Sequence, residues 1–278
     1  MIVFSDIYKI REHRWRDPAL SWGLVPTMGY LHEGHLSLVR RARRENDRVG
    51  VSIFLNPIQF NNPQDLQTYP VDIERDLDLL QQEQVDLVWT PSPEIMYPEE
   101  FQTYVNVERV TQPLEGEKRP GHFQGVTTVV AKLFNVFQPH RAYFGQKDAQ
   151  QLIAIKKMAR DLNFNVEIVP CSIVREEDGL AMSSRNKNLS PAARKQAICL
   201  YGALNAAKQA VAAGETNANS LRKIMTDIIE GADRARIDYV SVSNSDTLQE
   251  LDALTGQALL SLAVYFDDVR LIDNMIVN

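Results

Sequence analysis

The stretch WGLVPTMGYLHEGHLSLVRRARRE, residues 22–45, decides the fold. Residues 22–26 are apolar and strand-like, Pro26 and Gly29 mark a turn, and residues 34–45 read as a helix. A strand that passes through a tight turn into a helix places His32 and His35 in the first helical turn. Unpaired N–H groups and the positive dipole end make that place a ready site for phosphate oxygens, although the dipole alone contributes only about 0.3–1 kcal/mol. Side chains must supply the rest. The two imidazoles, three residues apart, project on nearly the same face and can both donate to phosphate oxygens. Gly34 between them leaves room for a nucleotide against the backbone. The plainer reading is a pair of capping or surface histidines; the Pro26-Thr27-Met28-Gly29 turn in front favours phosphate. His-Glu-Gly-His also looks like the zinc-protease H-E-x-x-H, but the spacing is i, i+3 and no third ligand accompanies it, so no metal site is expected.

Working outward, residues 48–55 read as a strand, followed by a loop rich in Asn, Gln and Pro over residues 56–70. A helix with Ile73, Leu77 and Leu80 on one face leads to a short strand at residues 86–90. Val126, Val129, Val130, Leu133, Phe134 and Phe137 repeat at helical spacing and give the clearest amphipathic helix. Residues 141–145 are strand-like, 148–162 helical and 165–170 a strand again. Repeated strand-helix-strand units predict an α/β fold: a doubly wound parallel sheet, Rossmann-like, with ligands at the carboxyl ends of its strands. After Cys171 the pattern changes to a charged loop and then to helices near residues 192–213 and 220–231, with two late strands at residues 236–243 and 258–266. Ser190-Pro191 is a good helix start, Ser as N-cap and Pro at the first helical position. A Rossmann-like domain over residues 1–174 and a smaller α+β C-terminal domain over residues 175–278 are therefore expected.

Bulk properties exclude several classes. The chain has 278 residues, 44% hydrophobic and 24% charged, the make-up of an ordinary globular protein. No apolar run approaches the ~20 residues of a membrane span, and the N-terminal stretch turns charged too soon for a signal peptide, so a cytoplasmic location is expected. A net charge of -6 and a pI near 5.5 argue against broad binding to nucleic acid or anionic membrane. Any anionic ligand must then be met by a local basic cluster. Cys171 and Cys199 stand alone, without metal spacing, and read as buried free thiols.

Further candidates fall at the same end of the fold. Lys147, between Gly145 and a helix, can reach a triphosphate as a mobile point charge. Ser183, Ser184 and Arg185, after the loop of residues 174–179, can close over phosphates and stabilise charge developing at phosphorus. Asn56, Gln59 and Gln151 sit just beyond strand ends or one turn into a helix, where they can hydrogen-bond a small polar substrate. Residues 117–123 read either as a mobile basic flap or as an ordinary turn. No two of the 13 glycines are two residues apart, so the G-x-G-x-x-G fingerprint is missing. Gly116 and Gly121 have P-loop spacing, but His122 stands where Walker A needs Lys. What remains is a doubly wound domain that binds a nucleotide through histidines and a basic loop.

These residues resemble a known family. Met28 to His35 is similar to the HIGH signature, and Met182 to Arg185 to a variant of the KMSKS loop, of the nucleotidylyl transferases related to class I aminoacyl-tRNA synthetases. PTMGYLHEGH, FLNPIQF, YP, GHFQGV, YFGQKDAQQL and VREEDGLAMSSRN stand in the order and spacing of the pantothenate synthetase (pantoate-beta-alanine ligase) family. The resemblance implies a reaction with Mg-ATP, the Mg²⁺ held mainly through the phosphates, in which pantoate is adenylated and beta-alanine then displaces AMP. By motif it implies ATP contacts from Met28, Gly29, His32, Gly34, His35, Gly145, Gln146, Lys147, Asp148, Val174, Met182, Ser183, Ser184 and Arg185. Catalytic roles fall to His32, His35, Lys147 and Arg185, with His35 as proton donor. Pro26, Asn56, Gln59 and Gln151 are implied on the acid substrate, Gln59 also near beta-alanine. A homodimer is implied as well. Departures are small: Tyr30 and Ala149 occupy variable positions, and Gln146 replaces a frequent Glu.

A carboxylate nucleophile is already ionised at pH 7, so the first step needs no general base. His35 is then better explained as stabilising negative charge at phosphorus than as an obligatory acid. Two alternatives differ in product. An adenylyltransferase of the same superfamily keeps the adenylate on a phosphate-bearing acceptor, and a nucleotide-sensing protein binds ATP without turnover.

Overall fold

The first unit of the computed structural model, residues 1–145 and 150–172, is framed by six strands: β1 (Ile2–Phe4), β2 (Trp22–Thr27), β3 (Arg48–Ile53), β4 (Leu87–Trp89), β5 (Arg141–Gly145) and β6 (Glu167–Cys171). All pair in parallel, in the order β1-β4-β3-β2-β5-β6. The structure describes residues 1–61 and 63–278. The helices between the strands are α1 (Ile7–Trp15), α2 (Glu33–Glu45), α3 (Pro63–Gln67), α4 (Ile73–Gln82), α5 (Pro93–Met96), α6 (Glu115–Lys118), α7 (His122–Phe137) and α8 (Ala149–Asp161).

β2, β3 and β4 are apolar almost throughout because both faces of a parallel sheet are covered. Successive residues alternate between the two cores. Leu24 packs with Val126, Val130, Phe134 and Phe137 of α7 and with Leu152 and Ile155 of α8. Val25 packs on the other face with Leu38, Val39 and Ala42 of α2 and Leu80 of α4. Each such fully buried aliphatic side chain contributes about 1.5–3 kcal/mol by leaving water.

Strand order reverses at β2: the chain steps outward through β3 and β4, then returns to place β5 on the other side of β2. Such a switch point opens a crevice at the carboxyl ends of the strands. Here the parting has a local cause. The β2–β3 register runs as far as Thr27 and Ile53, but β2 and β5 pair only at Gly23–Arg141 and Leu24–Ala142. Pro26, with no N–H to donate, lies just beyond that last pair.

The second unit, residues 146–149 and 173–278, contains α9 (Pro191–Ala197), α10 (Cys199–Ala212) and α11 (Ala218–Glu230), with the antiparallel strands β7 (Ala235–Asn244), β8 (Ala258–Phe266) and β9 (Val269–Val277) in the order β7-β8-β9. Its core joins Leu200, Leu204, Leu221, Met225, Leu260, Leu262 and Phe266. Ser190 caps α9 by accepting from the Ala193 N–H at 3.2 Å, with Pro191 at the first helical position.

Residues 2–15 form β1 and α1. Three expectations are corrected. The helix expected over residues 192–213 is two helices broken at Ile198, and nothing in the local sequence marks the break. A third late strand, β9, follows β8; the buried Asp273 and Asn274 interrupt its apolar pattern. Cys171 is buried as expected, but Cys199 is only partly so.

Candidate active site

The carboxyl end of β2 is fixed by its own side chain. Thr27 Oγ1 donates to the Ser52 carbonyl of β3 at 2.9 Å and accepts from the Gly29 N–H at 3.3 Å. The chain then turns through two left-handed residues, Gly29 at φ 86° and Tyr30 at φ 51°. Glycine meets such a φ at no steric cost; a tyrosine needs holding. Asp76 of α4 supplies the hold, its carboxylate accepting the N–H of Tyr30 at 2.6 Å and of Leu31 at 2.7 Å. Burial pushes the Asp76 carboxyl above its ordinary range, against the downward pull of those two N–H groups and of Arg75.

The turn delivers His32 as the N-cap of α2 and His35 as its third residue. His32 Nδ1 accepts from the Gly34 N–H at 3.1 Å, and His35 Nδ1 accepts from the His32 N–H at 3.3 Å, a reciprocal capping box made from two imidazoles. The ring centroids are 4.1 Å apart. The capping reading is thus observed: the two rings take up the His32 and Gly34 N–H groups. Because each ring accepts through Nδ1, its neutral form carries the proton on Nε2, the tautomer that donates to an anion.

Beyond β3, Asn56 and Gln59 are buried around the 3-10 turn Pro57–Gln59. Asn56 spends its whole amide on protein: Nδ2 donates to Gln59 Oε1 at 3.0 Å and to the Gly125 carbonyl at 3.1 Å, and Oδ1 accepts from the Tyr97 hydroxyl at 2.7 Å. Asn56 therefore holds Gln59 in place. Gln59 Nε2 lies 2.8 Å from Met28 Sδ. Glycine at 125 costs α7 about 0.5–1 kcal/mol relative to alanine. It is required, because a Cβ there would lie 2.8 Å from the Gln59 nitrogen.

The basic stretch at residues 117–123 is an ordinary turn and helix start rather than a flap. Arg119 Nη2 and His122 Nδ1 both reach the Gln59 carbonyl, at 3.4 and 2.8 Å. On α8, after β5, Gln150 is buried and structural, bonded to the Glu115 N–H and to the carbonyls of Val110 and Pro113. Gln151 beside it is only half-buried.

In the second unit, Gln146–Asp148 form a 3-10 turn in which Lys147 Nζ lies 3.8 Å from Asp148 Oδ1. Asn274 Nδ2 donates to the carbonyls of both Gln146 and Lys147, at 3.0 and 2.8 Å. The loop that leads into Met182–Arg185 is a braced hairpin. Met182 N–H donates to the Val174 carbonyl at 3.0 Å, and Arg175 and Ala181 form a bridge. Arg175 makes a two-pronged pair with the buried Asp273, at 2.6 and 3.0 Å, while its guanidinium lies 4.3 Å above the Tyr201 ring. Arg194 pairs with Glu176 at 2.5 Å and Asp178 at 2.8 Å. Ser183 caps the short 3-10 helix Ser184–Asn188 by accepting from the Arg185 N–H at 3.2 Å.

Among the described residues, no group of three His, Cys, Asp or Glu side chains is placed to hold a metal ion, and no helix is long and apolar enough to cross a membrane.

The sequence model of the pantoate-beta-alanine ligases matches residues 2–276. The chain belongs to the pantoate-beta-alanine ligase family. A pantothenate synthetase of Acetivibrio thermocellus is 58% identical over 255 residues, 92% of this chain and 91% of that protein. One from a Roseiflexus species is 57% identical over 276 residues, 99% of each chain. The crystal structure of pantothenate synthetase from Thermus thermophilus matches with a TM-score of 0.94 at 47% identity, covering 99% of each chain. That of the Francisella tularensis pantoate-beta-alanine ligase, complexed with beta-gamma ATP and beta-alanine, matches at 0.82 and 36% identity, over 99% of this chain and 97% of that one. The ligase of this chain thus carries out the ATP-dependent condensation of pantoate with beta-alanine.

Sequence reasoning missed the residues that hold these candidate side chains: Asp76 and Tyr97 in the first unit, and Arg175, Asp273 and Asn274 in the second. Asp76 had left a signal. With Ile73, Leu77 and Leu80 it completes an i, i+3, i+4, i+7 stripe, so an acid stands on the buried face of α4.

Proposed function

We propose that the ligase works through a pantoyl adenylate. A pantoate carboxylate oxygen attacks the α-phosphorus of Mg-ATP and expels pyrophosphate. The beta-alanine amine then attacks the acyl carbon, loses a proton and expels AMP, leaving pantothenate. His32 and His35 donate through Nε2 to phosphate oxygens, and His35 stabilises the charge that grows at phosphorus rather than serving as an obligatory acid. Gln59 and Gln151 hold the pantoate, with Pro26 beside it and Asn56 setting Gln59. Lys147 and Arg185 meet the phosphates as cations, and Met28, Gly29, Gly34, Gly145, Gln146, Asp148, Val174, Met182, Ser183 and Ser184 complete the contacts to ATP. The Mg²⁺ travels with the nucleotide, since that ion binds through phosphate oxygens, water and one or two carboxylates.

One observation carries this reading. Gln59 Nε2 stands 2.8 Å from Met28 Sδ, so an amide suited to a small hydroxy acid adjoins the nucleotide motif. Catalysis then comes from positioning and electrostatics, as in phosphoryl transfer generally. A homodimer rests on the family resemblance.

Pantoate alone should promote exchange of labelled pyrophosphate into ATP. Exchange that strictly requires beta-alanine would overturn the free adenylate.

A further inference from the structure

β9 is an edge strand of the second unit's sheet, and two of its adjacent residues are buried and polar: Asp273 is 2% exposed and Asn274 4%. Neighbouring residues of a strand project to opposite faces. Asp273 on one side binds Arg175 at the base of the hairpin that leads into Met182, Ser183, Ser184 and Arg185, and Arg175 Nη1 also donates to the Gly179 carbonyl at 3.0 Å. Asn274 on the other side takes the two consecutive carbonyls of the Gln146-Lys147 turn. The pair is itself locked, because Asp273 Oδ1 accepts the Asn274 N–H at 2.8 Å.

The orientation of the Asn274 amide is fixed by its partners. Both are carbonyl oxygens, so the NH₂ group must face them. Its own Oδ1 is left buried without a hydrogen-bond partner. An aspartate or a serine cannot reproduce two donated bonds, and an apolar residue would strand two part-buried carbonyls. Such a side chain fits a demand from the turn it holds better than a demand from the core.

We propose that Asn274 is a positioning residue for the adenylation step. It sets the direction of Lys147 through the backbone of residues 146–147, and Asp273 registers the hairpin of Arg185 from the same strand. The proposal rests on Lys147 and Arg185 being ATP contacts, the reading given above.

The test is a double-mutant cycle on the full-length enzyme, with ATP, pantoate and beta-alanine kinetics for Asn274→Ala, Lys147→Ala and the pair. Asn274→Ala should lower kcat/KM for ATP by about 10- to 100-fold, the scale of a misplaced catalytic group, and leave the KM for beta-alanine within about twofold. In the Lys147→Ala background the same change should add less than about threefold. Asn274→Ser keeps one donor and should fall between; it replaces Asn274→Ala in the cycle if that variant does not fold. Fully additive losses, or equal rises in every KM, mean that Asn274 serves only the fold, and overturn the proposal while Lys147 keeps its role. A silent Lys147→Ala removes the reading of Lys147 itself, and with it the proposal.

Discussion

Asp76 accepts the backbone N–H of Leu31 across 45 positions of sequence, at 2.7 Å, and so ties α4 to the turn that launches α2. With the Tyr30 N–H on its other oxygen, the carboxylate leaves neither donor of the turn unpaired. Asp76→Asn turns an NH₂ group towards one of those donors. The variant should lose about 1–3 kcal/mol of stability, the cost of an unsatisfied buried group, in urea melts at pH 7. It should also bind ATP more weakly. Unchanged melting would show that the turn holds without Asp76.

One substitution can separate the capping role of His35 from its proposed catalytic one. Glutamine at the third helical position can still reach back to the N-cap N–H, as in an ordinary capping box. His35→Gln should therefore keep wild-type stability while kcat falls by about 10²- to 10³-fold, the scale for losing one charge-stabilising donor. His35→Ala should show the same kinetic loss and about 1 kcal/mol less stability. Near-normal turnover of His35→Gln in a product assay would leave the ring with capping alone.

Tyr97 is the outermost link of the chain Tyr97–Asn56–Gln59. Tyr97→Phe leaves Asn56 Oδ1 unpaired and frees the amide to rotate away from Gln59. The KM for pantoate should rise about tenfold, equivalent to ~1.4 kcal/mol, with the KM for ATP unchanged. A rise confined to ATP would sever Asn56 and Gln59 from the acid.

Acid should act on the far end of the sheet. Burial pushes the Asp86 carboxyl up, but the Val49 N–H and the guanidinium groups of Arg48 and Arg43 outweigh it and hold the group below its ordinary range. A depressed folded value means that stability is fully present above the unfolded value of about 3.9 and is lost as pH falls through the folded one. Asp86→Asn should cost roughly 1.5–3 kcal/mol at pH 7, where charged hydrogen bonds are intact. Its deficit against the wild type should shrink below about pH 4, when both chains lack the charge. A deficit constant from pH 7 to 3 would contradict this linkage.

The parallel sheet was legible because its strands are continuous apolar runs, and α7 because its stripe repeats at helical spacing from Val126 to Phe137. The turn before α2 was legible because glycine and proline punctuate it. β1 escaped because Ile2 and Val3 are exposed and the strand pairs only with β4. Among site residues, local pattern pointed to those that stand at element ends, such as His32, His35 and Lys147. It missed the residues that hold them, since Asp76 and Asn274 act on backbone far away in sequence. The bonds of Asn56 to Gln59, Gly125 and Tyr97 were equally out of reach of local pattern, since two of those partners lie far away in sequence.

The missing carbon at Gly125 works as a fixed spacer. Helix α7 presents bare backbone to Gln59, so the reach of the amide is measured from a surface that no side chain can pad or trim. A library built to change the acid this ligase accepts will find position 125 closed to every replacement, since even alanine shifts the whole 3-10 turn. On the proposed reading altered selectivity must be sought at the other glutamine assigned to the acid, Gln151, which is only half-buried.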